Sequence, residues 1–140
     1  MPKRVLFVCV HNAGRSQMAA ALFNALARKR GLDWTADSAG TEPAERVHPE
    51  VVAVMAELGI DLSGARPRLL TNEDVEATDR VITMGCEVDA GVCPALFIKN
   101  VEDWGLPDPK GRPLEEVRAI RDEVRRRVEA LFDELARQPV

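Results

Sequence analysis

The chain has 140 residues, enough for one domain and too few for two. With 46% apolar and 30% charged residues, it carries the material for a globular core that needs no disulfide staples. A net charge of −4 without blocks of like charge argues against nucleic acid and anionic membranes as partners, and no apolar run approaches the ~20 residues of a membrane span.

Residues 3–9 (KRVLFVC) are short, β-branched and almost continuously apolar, which predicts a buried strand. The basic start followed by this run is too short for a signal peptide and leads straight into a charged helix, so a cytoplasmic protein is expected. Met18, Leu22, Ala25 and Leu26 stand at helical spacing and predict a helix over 16–29, stopped by Gly31. A second strand is expected over 33–39, ending at Gly40. Pro49 opens a second helix over 49–58, with Val51, Val52, Met55 and Leu58 as its apolar stripe and Gly59 after it. Residues 71–76 begin like a short capped helix, Thr71 standing three before Asp74. Strands are expected over 79–84 (DRVITM) and 95–100 (ALFIKN). The last helix runs over 114–135, with Leu114, Val117, Ile120, Val124, Val128, Leu131 and Leu135 on one stripe. Strands alternating with helices give an α/β domain over 1–140, a four-stranded parallel sheet flanked by helices. Ligands of such sheets bind beyond the carboxyl ends of the strands.

The chain has three cysteines, Cys9, Cys86 and Cys93, an odd count that makes a poor structural framework and points to catalytic, redox or metal chemistry. Cys9 ends the first strand, and Cys86 lies two residues past the third. Taken alone, Cys9 reads as an ordinary buried cysteine. Its setting, C-V-H-N-A-G-R-S between a strand and a helix, argues for more. Backbone N–H groups of Val10, His11, Asn12, Ala13, Gly14 and Arg15 can form an anion cradle, strengthened by the helix N-terminus. Gly14 allows the tight turn, and Arg15 offers a bidentate fork to a tetrahedral oxyanion. A free thiol titrates near ~8.5, and at a helix N-terminus beside a cation the value can fall to about 3.5–7.5. Ser16 is placed to hydrogen-bond the thiolate. One loop would thus bind an anion and aim a nucleophile at it. The Gly-Lys-Ser/Thr signature of a nucleotide-binding loop is absent from this stretch.

The C-x5-R-S loop, together with the later Asp108-Pro109, resembles the low-molecular-weight protein tyrosine phosphatases and the arsenate reductases that share their fold, across essentially the whole chain. The resemblance implies that Cys9 is the nucleophile, Arg15 the oxyanion binder, Ser16 the group that tunes the thiol and Asp108 the general acid. An aspartate between prolines, in GLPDPKGRP, is a rigidly held carboxyl group. The thioredoxin-coupled reductases carry a cysteine pair at the place and spacing of Cys86 and Cys93. This likeness implies a relay: Cys9 attacks arsenate, Cys86 attacks Cys9 and releases arsenite, and Cys93 attacks Cys86 to leave a disulfide for a thioredoxin-type thiol reductant. If 86–93 were helical, the two Cα atoms would stand roughly 10 Å apart, beyond the ~7 Å of a disulfide, so the segment has to loop out on oxidation, and Gly85 and Gly91 give it the freedom to do so. Phosphatases of the fold typically place aromatic residues after the Asp-Pro. Here Lys110 and Gly111 follow and the chain has no tyrosine, which suits a small inorganic oxyanion. Phosphate and sulfate would compete for the loop.

Other readings of the same residues remain. A tyrosine phosphatase would work through a Cys9 phosphocysteine. A redox-sensing module would keep the cysteine pair but would not need Asp108. A Cys3His zinc set of Cys9, His11, Cys86 and Cys93 has spacings unlike structural zinc pairs, and Arg15 would repel the ion. Reductase members can bind potassium through an asparagine and a glutamate. Asn12 matches the first, but Ala19, Ala20 and Ala21 stand where the glutamate is sought. No metal and no cofactor are expected, and a monomer is expected. Asn12 and Ser38 are candidates for tying the loop to the second strand. Trp104 reads as core or rim packing, and His48 as a surface residue at a helix start.

Overall fold

The computed structural model describes residues 3–84, 101–106 and 109–137. In chain order they form β1 (Lys3–Cys9), α1 (Arg15–Arg30), β2 (Trp34–Gly40), α2 (Pro49–Ala56), α3 (Asn72–Glu76), β3 (Arg80–Thr83), β4 (Val101–Asp103) and α4 (Leu114–Arg137). The strands make one four-stranded sheet in the order β2-β1-β3-β4, every pair parallel. The strand expected over 95–100 lies outside the described residues, and β4 begins immediately after it.

β1 is buried on both faces because it is a central strand, which is why its sequence reads as nearly unbroken apolar residues. Val5, Phe7 and Cys9 join the larger core with α1, α2 and α4; Leu6 and Val8 face the other way, with Ala39 and Val81. A file of tilted aromatic rings crosses the larger core. Trp104 lies 5.6 Å from Phe7, Phe7 6.2 Å from Phe23, and Phe23 5.1 Å from Phe132 between centroids. The expected core placement of Trp104 is thus the observed one.

The helices end where local chemistry ends them. Gly31, at φ 68°, closes α1 with its N–H on Ala27 O. α3 opens on a reciprocal cap: Asp74 N donates to Thr71 Oγ1 at 3.1 Å, and Thr71 N to Asp74 Oδ2 at 2.9 Å. The stripe of α4 is buried from Val117 to Leu135, while Leu114 is 41% exposed because the helix starts beyond the edge of the core. Helix α1 buries more than the expected stripe: Ala19, Phe23 and Ala27 join Met18 and Leu22, since it packs against both the sheet and α4. Val54 takes a deeper place in α2 than Val52, and Leu58 lies in the turn beyond the helix. Arg121 pins α4 to α2, with Nη1 donating to Val54 O at 2.9 Å and to Glu57 Oε1 at 2.7 Å. Among the described residues no helix is long and apolar enough to cross a membrane.

Two outcomes are expected. Phe23→Ala removes one of the two inner rings of the aromatic file and lowers unfolding free energy by about 3–5 kcal/mol in denaturant titration, whereas Leu69→Ala, at a site 56% exposed, stays within about 0.5 kcal/mol. The Arg68 guanidinium, bidentate on Asp74, holds that carboxyl below its ordinary value of 3.8. A depressed folded-state value means the contribution is complete above about pH 4 and is lost as pH falls through the folded-state value. Asp74→Asn therefore flattens the acid limb of a stability-against-pH curve and leaves its neutral region less changed in slope.

Candidate active site

The loop between β1 and α1, residues 10–14, passes across the carboxyl edge of the sheet. Its carbonyls are all committed. Val10 O accepts from Glu42 N at 2.8 Å, His11 O from Ala44 N at 2.9 Å, and Ala13 O from His48 N at 2.9 Å. Asn12 O accepts from the Gln17 side-chain amide at 3.1 Å. In a trans peptide the carbonyl of one residue and the N–H of the next point in opposite directions. Four carbonyls turned toward surrounding chain therefore turn the N–H groups of His11, Asn12, Ala13 and Gly14 to the opposite side. There the Asn12 N–H meets the Cys9 sulfur at 3.2 Å. Asn12 itself has φ 50°, the left-handed region, which an asparagine tolerates better than most residues.

Cys9 is 2% exposed, and its Sγ also lies 2.8 Å from Ser16 Oγ. Asn12 Nδ2 donates to that hydroxyl oxygen at 2.7 Å, so the hydroxyl proton is left to face the sulfur. α1 opens without an acidic residue in its first turn and without a side-chain cap, so its N-terminal field acts on the same spot. These groups are arranged to hold negative charge at the sulfur and beside it.

Arg15 is the first residue of α1 and is buried. Its Nη1 donates to Met84 O at 2.8 Å and to Leu106 O at 2.7 Å, carbonyls that lie just past β3 and β4. The sheet ends thereby fix the guanidinium plane, and among the described residues its Nη2 and Nε hold no hydrogen bond. That edge is the one able to grip an oxyanion in the fork geometry of arginine.

Two glycines let the surrounding chain come this close. Gly40 pairs with Cys9 at the end of β2, and a Cβ there would stand 2.6 Å from Val10 O and 2.9 Å from Asn12 N. A Cβ on Gly14 would stand 2.7 Å from Pro109 Cγ and 3.5 Å from His48 Cδ2. Pro109 thus lies directly on the loop, next in sequence to Asp108.

Cys9 and Ser16 are in contact, Arg15 opens α1 immediately before Ser16, and Val10, His11, Asn12, Ala13 and Gly14 form the loop between Cys9 and the helix. Cys86, Cys93 and Asp108 lie outside the described residues. His11 Nδ1 is bonded to Glu42 O at 3.0 Å, in keeping with a loop-shaping role. His48 is not a plain surface residue: its backbone ties Ala13 and its ring lies near Gly14. Asn12 does not bind Ser38. Its Oδ1 accepts from Arg68 N at 2.9 Å, while Arg68 O accepts from Gly40 N at 2.9 Å, so the tie to β2 runs through the 68–70 segment. Gln17, Arg68 and Gly40 are the supporting residues that sequence reasoning missed; the signal for Gly40 was its place at the end of β2. A potassium ion held through Asn12 does not fit these residues. Asn12 Oδ1 already accepts two N–H donors, and Ala19, Ala20 and Ala21 carry no side-chain oxygen.

The family profile described as low molecular weight phosphotyrosine protein phosphatase matches residues 4–140. A Synechocystis protein named glutaredoxin arsenate reductase is 38% identical, over 96% of this chain and 99% of its own. Among solved structures, an arsenate reductase in the phosphate binding state is 37% identical with a TM-score of 0.81, covering 94% of this chain and 98% of that one. A low molecular weight protein tyrosine phosphatase from T. tengcongensis is 31% identical, also at TM-score 0.81, covering 94% and 99%. A thioredoxin-dependent arsenate reductase from Corynebacterium glutamicum is 36% identical at TM-score 0.74, covering 96% of this chain and 62% of that chain.

Gly40→Ala is expected to push residues 10–12 off the end of β2. Calorimetric titration should show phosphate binding weakened roughly tenfold or more, with a stability loss of about 1–3 kcal/mol. Gly64→Ala, where a Cβ meets open space, should leave both within about 0.5 kcal/mol.

Proposed function

The chain belongs to the low molecular weight phosphotyrosine protein phosphatase family, and from that premise we propose that it is a cytoplasmic arsenate reductase, one domain over 1–140, using Cys9 as nucleophile and Cys86 with Cys93 as a thiol relay. The observation that carries the first step is the Asn12 N–H on the Cys9 sulfur, in a loop whose carbonyls all find donors in the surrounding chain, together with Arg15 clamped by the Met84 and Leu106 carbonyls. What favours reduction over ester hydrolysis is the cysteine pair in the sequence and the absence of any tyrosine after Asp108-Pro109. Equal TM-scores to a reductase and to a phosphatase leave that choice to chemistry rather than shape.

In the proposed reaction the Cys9 thiolate attacks arsenic(V) held by the loop N–H groups and the fork of Arg15. A S–As bond forms, an As–O bond breaks, and Asp108 gives its proton to the departing hydroxide as water. The packing of Pro109 on Gly14 supports Asp108 as that acid. The Cys86 thiolate then attacks the Cys9 sulfur. The S–As bond breaks with its electron pair going to arsenic, which leaves as arsenite, and a Cys9–Cys86 disulfide forms. Two thiols have given two electrons, and arsenic has gone from the +5 to the +3 state. Cys93 attacks Cys86, Cys9 departs as thiolate, and an external dithiol reduces Cys86–Cys93. Thioredoxin is the proposed reductant, and a glutaredoxin-type partner is the alternative; relatives bearing each name exist among the matched proteins.

The phosphatase reading shares the first step, with phosphorus in place of arsenic and water resolving the phosphocysteine. Four substitutions separate the two. Cys9→Ser should abolish both arsenate reduction with a thioredoxin system and aryl-phosphate hydrolysis. Cys86→Ser and Cys93→Ser should stop arsenate turnover and leave hydrolysis near the parent rate. Asp108→Asn should slow the hydrolysis roughly 10²–10⁴-fold. Arsenate reduction by both relay variants at the parent rate would rule out the intramolecular relay and leave an external thiol as second nucleophile.

A further inference from the structure

Gln17, in the first turn of α1, is a polar residue only 7% exposed that contributes to neither the nucleophile nor the oxyanion fork. Its Nε2 lies 3.1 Å from Asn12 O, 3.2 Å from Asn12 Oδ1 and 3.2 Å from Arg66 O. An amide nitrogen has two protons, and here three oxygens from two separate chain segments converge on it. Two of them belong to the one loop residue with left-handed backbone.

The consequences run in one direction. The Gln17 N–H and the Arg68 N–H both donate to Asn12 Oδ1, which fixes which end of the Asn12 amide is oxygen. Nδ2 is thereby turned to Ser16 Oγ, at 2.7 Å. With its oxygen accepting there, Ser16 has its own proton for Cys9 Sγ. Meanwhile the bond to Asn12 O holds that carbonyl toward Gln17 and so turns the Ala13 N–H the opposite way. We propose that Gln17 is the positioning residue of the nucleophile loop: its amide holds Asn12 in the left-handed conformation and, through Asn12, sets both the donor to the thiolate and the direction of the anion-binding N–H groups. The chain thus organises its loop with a tethered neutral donor at a place where three oxygens converge. This rests on Cys9 being the nucleophile of the proposed function and not on arsenate being the substrate.

The test uses Gln17→Met, which keeps length and volume and removes the donor, and Gln17→Glu, which keeps shape and sets a carboxylate against three oxygens. The readouts are the inhibition constant of inorganic phosphate, its protection of Cys9 from iodoacetamide, and KM and kcat for an aryl phosphate. Loss of a positioning hydrogen bond should raise the phosphate inhibition constant and KM by roughly three- to tenfold in the Met variant, and by more in the Glu variant, with protection weakened in step. A merely structural role would lower the active fraction, and so kcat, while leaving the phosphate constant and KM at parent values; that result overturns the proposal. Parent-like phosphate affinity in the Glu variant overturns it as well, whatever becomes of the Met variant. A parent enzyme that hydrolyses aryl phosphate but does not reduce arsenate would sink the reductase reading and leave this test intact.

Discussion

The planarity of the peptide group governs this site. Each loop carbonyl that finds a donor in the surrounding chain sends the next N–H the other way. Glu42, Ala44 and His48 supply backbone N–H groups, and Gln17 supplies a side-chain one, so the loop from Val10 to Ala13 has no carbonyl left to face an anion. A carbonyl turned inward would place partial negative charge where the proposed oxyanion would bind. The cradle is therefore defined by what lies outside it, and its integrity depends on the chain from 42 to 48 as much as on the loop.

That dependence explains the position of the glycines and the sheet. Gly40 brings the end of β2 into contact with Val10 and Asn12, and Gly14 admits Pro109 and His48 against the loop. Parallel strands deliver Cys9, the Met84 carbonyl and, beyond β4, the Leu106 carbonyl to one edge. Arg15 is buried with two carbonyls on Nη1, an arrangement that satisfies part of an otherwise costly buried cation and removes its rotamer freedom before any anion arrives. An arginine held this way loses little entropy on binding, which a lysine, with its compact point charge and flexible stem, would not match.

The elements that sequence made legible are those with a local physical signature. β1 reads as a strand because it is buried on both faces, and α4 as a helix because its apolar residues recur at helical spacing. The Thr71/Asp74 cap and the Gly31 stop are short-range chemistry and appear where the residues say. Cys9, Arg15 and Ser16 were legible because loop chemistry depends on residue type and close spacing. Gln17, Arg68 and His48 were not. Gln17 acts on Arg66 across 49 positions and Arg68 on Asn12 across 56, and no local pattern announces a bond of that separation. The exposed start of α4 at Leu114 escaped for a related reason: periodicity reports a helix face, and only tertiary packing decides where the core ends along it.

Reductase and phosphatase use of such a loop differ after the first covalent step, and the physical difference lies in the central atom. A phosphorus ester on sulfur has no accessible lower oxidation state for a thiolate to drive it to, so its resolution is hydrolysis at phosphorus. Arsenic on sulfur can accept the S–As electron pair and depart, so attack shifts from the central atom to the sulfur. The loop that binds either oxyanion need not change for this; what has to change is whether a second thiolate can reach Cys9. In the proposed relay the burial of Cys9 would act as a filter, since a bulky external thiol meets a buried sulfur poorly while a cysteine carried on the same chain needs no diffusional encounter. The proposed relay would thus draw its selectivity over adventitious oxidation from the same burial that leaves the Cys9 sulfur dependent on Asn12 and Ser16 for its hydrogen bonds.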